Sequence, residues 1–179
     1  MISLRSCGFA AALALSLSVR PAPTEEKKPP QLVTRGRVQL NLAGAEVILA
    51  DAKKKAEEMK LKVNSAVVDD GGHLLAFARM DGARPASGYT AITKAVTAAT
   101  FRQETGSLPP KGEPDVLLNL SLQNAAASGG GKLTTLKGGV PVVVDGQVIG
   151  AVGVGSGTGE QDADVARAGI NKLLDALKK

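Results

Sequence analysis

His73 is the only histidine in the 179 residues, and its chemistry bounds what the chain can do. A zinc site built on several imidazoles is impossible, and a Ser/His/Asp triad would have to use His73. No G-x-S-x-G elbow supplies the serine. One imidazole does suffice for haem iron, which needs a single proximal ligand from the protein. The plainer alternative is a polar strand residue beside a turn. Tyr89 is the single tyrosine, open to an axial oxygen role or to packing at an interface. Carboxylates pair at Asp69 and Asp70, and again at Asp162 and Asp164. Neighbours on a strand point to opposite faces, so Asp69 and Asp70 converge only if a turn bends them together. Asp beside Gly is also what a tight turn uses. Arg79, Asp81 and Arg84 follow in a loop with Gly82 and Pro85, either a plain surface loop or a polar rim for an acidic ligand.

The glycines at 150, 153, 155, 157 and 159 follow an apolar run and precede a helical pattern. The stretch has neither the G-x-G-x-x-G spacing of dinucleotide folds nor a G-x-x-x-x-G-K-[ST] phosphate loop. A strand end that lets a helix approach closely explains it. The other reading is an anion seat at a helix N-terminus, although Glu160, Asp162 and Asp164 already complement that dipole.

These residues need elements to position them. Leu42, Ala45, Leu49, Ala52, Ala56 and Met59 recur at spacings of three and four, predicting a helix that ends near Lys60, with Asn41 as its N-cap. Two β-type runs, Val63–Asp69 and His73–Arg79, flank Asp70-Gly71-Gly72 and predict a hairpin. Helices follow over Tyr89–Phe101, where Ile92, Ala95, Val96 and Ala99 share a face, and over Asp115–Ala127. Leu133–Leu136 reads as a short strand, and Val140–Val144 and Gln147–Gly155 form a second hairpin around Asp145-Gly146. Pro141, lacking an N–H, belongs at an edge or a strand start. Thr158 and Gln161 form a capping-box pattern for a last helix with Val165, Ala168, Gly169, Leu173 and Leu177 on its stripe. The order α-β-β-α-α-β-β-β-α with two hairpins predicts an α+β fold, helices packed on an antiparallel sheet.

One domain fits this length. Hydrophobic residues make up 44% and aromatics only 2%, so the core must be aliphatic. Few rings are available to stack on bases, and the net charge of +5 is spread among 17 acids, so a nucleic-acid partner is not expected. Arg5 followed by the uncharged run Phe9–Val19 reads as a secretory signal over 1–18, too short to span a bilayer. It would remove Cys7, the only cysteine, and leave no transmembrane span in an exported, periplasmic or extracellular protein. The segment 19–38, with Pro21, Pro23, Pro29 and Pro30 among charges, reads as a flexible linker, and the domain as 39–179.

Ala66–Gly82, with its Asp69-Asp70-Gly71-Gly72-His73 turn, resembles the first hairpin of the GlcG/HbpS family of haem-binding proteins. Lys94–Phe101, Gly138–Pro141 and Gly150–Asp162 resemble that family's later segments in the same order, so the likeness runs from about Leu40 to Leu174. The related C-terminal domain of PduO-type proteins belongs to the same group. The resemblance implies a five-stranded antiparallel sheet, a homo-oligomer, and haem binding or haem-linked sensing. It implies His73 as the iron ligand and Arg79 and Lys94 as candidate partners of the propionates; the low aromatic content argues against a deep haem pocket, and a shallow one at a subunit interface escapes that objection. Two other functions stay open. One is an enzyme acting on a small carboxylate metabolite, with Arg79 or Lys94 holding the acid and Asp81 moving a proton. The other is a structural or partner-binding module without a small ligand.

Overall fold

The computed structural model describes residues 36–178. The expected signal peptide and nearly all of the expected linker lie outside the described residues. Four helices, α1 (Leu42–Glu58), α2 (Ser87–Phe101), α3 (Val116–Ser128) and α4 (Gly159–Leu177), accompany β1 (Asn64–Asp69), β2 (Leu74–Arg79), β3 (Gly139–Val144) and β4 (Gln147–Gly155). Every strand pairing is antiparallel, and the order across the sheet is β2-β1-β4-β3.

The class is α+β as expected, but the described residues hold four strands and not five. Leu133–Leu136 accounts for the difference. The Thr134 N–H donates to Thr97 Oγ1 at 3.0 Å, and the Leu136 N–H to Thr134 Oγ1 at 3.1 Å. Hydroxyl oxygens thus occupy donors that a strand ladder would need. Gly138, at φ +119°, then redirects the chain into β3.

Local chemistry explains most of the boundaries. Asn41 Oδ1 accepts from the Gly44 N–H at 2.9 Å at the start of α1. Thr158 and Gln161 satisfy each other's backbone N–H groups at the start of α4. Asp145 and Gly146 have φ +50° and +72°, the two positive values that a type I′ hairpin turn requires. Along α1 the buried stripe passes through Ile48 instead of Leu49, and Leu42 is exposed. The cause is Gly169 on α4, where a Cβ would strike the Ile48 carbonyl. That gap draws α1 onto α4 at Ile48.

The helices α1 and α4 pack together over one face of the sheet, and α2 covers the other. Alternation along the strands sorts the core accordingly. Val67, Val152 and Val154 meet Ile48, Val165 and Leu173 on the α1/α4 side. Ala66, Val68 and Ala151 meet Ala91, Ala95, Ala98 and Ala99 on the α2 side. This second layer is built almost wholly from small residues, so α2 lies close on β4. A Cβ on Gly153 would collide with the Ala91 carbonyl and the Ala95 amide.

One charged pair sits inside this packing. Lys94 of α2 and Asp162 of α4 have side chains 6% and 2% exposed, with Nζ 2.7 Å from Oδ2. Nζ also donates to the Val154 carbonyl of β4 at 2.8 Å, and Asp162 Oδ1 accepts from the Gly157 N–H at 2.9 Å. Helix, strand, loop and second helix are thereby joined at one point.

Gly153→Ala is expected to lower stability by about 1–3 kcal/mol through overpacking, read from urea unfolding; an unchanged midpoint would contradict the close approach of α2. Lys94→Met should cost about 3–5 kcal/mol, because Asp162 is left buried and unpaired. Adding Asp162→Asn to Lys94→Met should restore most of that loss in the same measurement.

Candidate functional site

The first hairpin turn carries the most specific arrangement. Its backbone is closed by the Gly72 N–H donating to the Asp69 carbonyl at 3.1 Å and the Asp69 N–H to the His73 carbonyl at 2.9 Å. Asp69 Oδ1 accepts from the backbone N–H groups of Gly71 and His73, at 2.9 and 2.8 Å. Both carboxylate oxygens lie 3.2 Å from His73 Nδ1. Burial pushes the Asp69 carboxyl upward, but the two backbone donors and the imidazole outweigh it and hold the carboxyl below its ordinary range. Asp69 is therefore an acceptor at neutral pH, and an acceptor requires the proton on Nδ1. The Nε2 lone pair is left facing away, on a side chain 82% exposed.

This is the arrangement that metal-bound histidines use: one nitrogen held by a carboxylate, the other presented to the metal. Asp70 does not converge with Asp69 and pairs instead with Arg37. The surface beside the turn is apolar on one side. A Cβ on Gly72 would touch Val96 and Thr100 of α2. Val96, Ile92 and Tyr89 follow at helical spacing toward the N-terminus of α2; Ile92 and Val96 are half-buried, and Tyr89 is 78% exposed. The exposed Phe77 ring of β2 stands over Gly88 at the start of the same helix.

The other two expected residues lie elsewhere. Arg79 ends β2, six residues from His73, which in an extended strand is about 20 Å. It lines a groove of about 440 Å³ with Lys53, Lys62, Ser65 and Asp81. Lys94 is turned inward to Asp162 and Val154, and it lines a different cavity. Arg79 pairs in register with Asn64, at the end of β1 opposite Asp69. No two of His73, Arg79 and Lys94 therefore line one site within a chain. Asp81 shares the groove with Arg79 but not the cavity with Lys94.

Asp69 as the holder of the imidazole was not expected from the sequence, where it served only the turn. The spacing carried the signal: residues four apart across a two-glycine turn are brought side by side. Asp162 was likewise read as complementing the α4 dipole. The better clue was an acid on the stripe Asp162, Val165, Ala166, Gly169 and Leu173, all buried. Lys94 stands in the same way among Ala91, Ala95 and Ala98.

A family model described as "Haem degrading protein HbpS-like" matches residues 40–171. Protein GlcG of Escherichia coli K12 is 46% identical over 118 residues, which are 66% of this chain and 82% of GlcG. The crystal structure of Klebsiella pneumoniae protein ORFY is similar with a TM-score of 0.66 at 34% identity, covering 80% of this chain and 98% of ORFY. A PduOC:Heme complex is similar with a TM-score of 0.63 at 28% identity, covering 75% of this chain and 95% of PduOC. With the family match running from the residue before the α1 cap into the last turns of α4, the chain belongs to the HbpS-like family.

Proposed function

We propose that this protein binds haem, with His73 Nε2 as the iron ligand, and acts outside the cytoplasm as a haem-holding or haem-sensing protein. The observation that carries the reading is the Asp69 carboxylate on His73 Nδ1, which fixes tautomer and ring direction before any ligand arrives. Support comes from the apolar surface that runs from Val96 beside the turn through Ile92 along α2, with Phe77 at its far end against Gly88, and from a solved relative that carries haem. Bound haem would supply an iron whose potential and spare coordination position are tuned by the axial ligand. The chain's own contribution is to hold Nε2 outward, keep the proton on Nδ1 and offer an apolar face to the macrocycle. Export rests on Arg5 and the apolar run Phe9–Val19.

The exposure of His73 sets the architecture of such a site. One chain covers one side of a haem there, and the other side needs a second surface. Arg79, about 20 Å along the strand, meets a propionate of that haem only from a neighbouring copy. Helix α3 supplies a reason for copies to associate: Val116, Leu117 and Leu120 are 66%, 77% and 59% exposed, and no residue of α3 is buried. A helix that exposes this many large apolar side chains is normally covered. The occupant proposed here is the α3 surface of a second copy.

Haem titration of the protein, followed by the Soret band, is expected to saturate. His73→Ala should abolish the shift, and Asp69→Asn should weaken binding by about tenfold or more. Saturation unaffected by both changes would overturn the assignment of the site. Leu117→Glu combined with Leu120→Glu should reduce the particle to a monomer in sedimentation velocity, and an unaltered assembly would remove α3 from the interface.

A further inference from the structure

We propose that the cavity between the N-terminal halves of α2 and α4 is a separate binding site for a small monocarboxylate. The cavity has a volume of about 300 Å³, at the lower end of the range for small-molecule sites. Arg84, Ser87, Thr90, Lys94, Ser156 and Asp162 line it, with Lys137 and Leu136 alongside. It lies at the Asn64–Gly155 end of the sheet, whereas the His73 turn stands at the Asp69–Gly150 end, about 17 Å away along β1. The proposal therefore does not rest on the haem reading.

The charges in the wall select the ligand. Lys94 and Asp162 neutralise each other at 2.7 Å, and Lys137 is paired with Glu160 at 2.5 Å. Arg84 is exposed and has no ion-pair partner among the described residues. One positive charge is left over, which suits a monoanion. A phosphate dianion would lack its second cation and would face the Asp162 carboxylate.

The unused donors in the wall suit the same ligand. Nζ of Lys94 gives two of its three hydrogens to Val154 and Asp162, leaving one. Ser156 Oγ accepts from Asn64 Nδ2 at 3.1 Å, so its own proton is available to a ligand. Arg84 presents a planar fork that matches a carboxylate in bidentate fashion. Helix α2 starts with no acid in its first turn, so no carboxylate of its own offsets its positive end, while its Ser87 and Gly88 N–H groups already donate to the Arg84 and Pro85 carbonyls.

The walls are also fixed in advance. Asn64 is fully buried, and its Nδ2 donates both to the Arg84 carbonyl at 3.0 Å and to Ser156 Oγ. A single side chain thus sets the spacing between the arginine loop and the glycine-rich loop. Leu136, 53% exposed, offers apolar contact to a short aliphatic tail.

Isothermal titration calorimetry of the protein with pyruvate, acetate and inorganic phosphate tests this. Pyruvate or acetate should bind saturably and more tightly than phosphate. Arg84→Gln and Ser156→Ala should each weaken that binding, the former by about tenfold, while Lys172→Ala on the exposed side of α4 leaves it unchanged. Absence of saturable heat with both monocarboxylates, preference for phosphate, or binding indifferent to both Arg84→Gln and Ser156→Ala would overturn the proposal.

Discussion

The fold turns on the ion pair between Lys94 and Asp162. Two charges taken out of water are tolerated only when their remaining polar atoms are satisfied, and here each partner has further bonds to backbone. Those bonds reach Val154 on β4 and Gly157 in the loop before α4. Gly138 closes the space above: a Cβ there would meet both Asp162 Cβ and Lys94 Nζ. The helix on one face of the sheet is thus registered against the helix on the other. A purely apolar contact between Ala and Gly surfaces would allow α2 to slide; a point charge with fixed partners does not.

The hairpin turn reaches the same end by a different route. Asp69 is pinned by two backbone donors before it meets the imidazole. The ring is therefore oriented by the turn itself and does not depend on a buried neighbour. That explains how a side chain exposed to solvent can still have a defined direction. It also fits a core with hardly any aromatic residues, since no ring-lined pocket is needed to hold the histidine in place.

Features governed by neighbours in the chain were legible in the sequence. Asp145-Gly146, Thr158 with Gln161, and Asn41 act over two to four residues, and each did in three dimensions what its local chemistry dictates. Leu133–Leu136 was misread because its partners, Thr97 above all, are remote: an apolar run does not reveal that a hydroxyl from another helix will take its N–H. Ile48 was missed for the same reason, its burial being decided by a glycine on α4. The buried pair was half visible, as charges on apolar stripes of opposite sign. Only the topology that lays α2 and α4 around β4 joins them. His73 was identifiable as the single imidazole, but its distance from Arg79 follows from the strand that separates them.

The two borders of the sheet are not equivalent. In β3 the outward-facing groups of Gly139 are both consumed by Thr105, whose N–H and Oγ1 bond them at 2.9 and 2.8 Å. Pro141, two residues on, has no N–H to offer on that same outer side. The opposite border, β2, carries no proline and exposes Leu74 and Phe77. Among the described residues, strand addition from another molecule is consequently shut on one flank and open on the other. Through its sheet alone, a particle with a single receptive flank can extend once, back to back with a like flank. Continuous cross-strand stacking of copies is thereby opposed by the geometry of one strand.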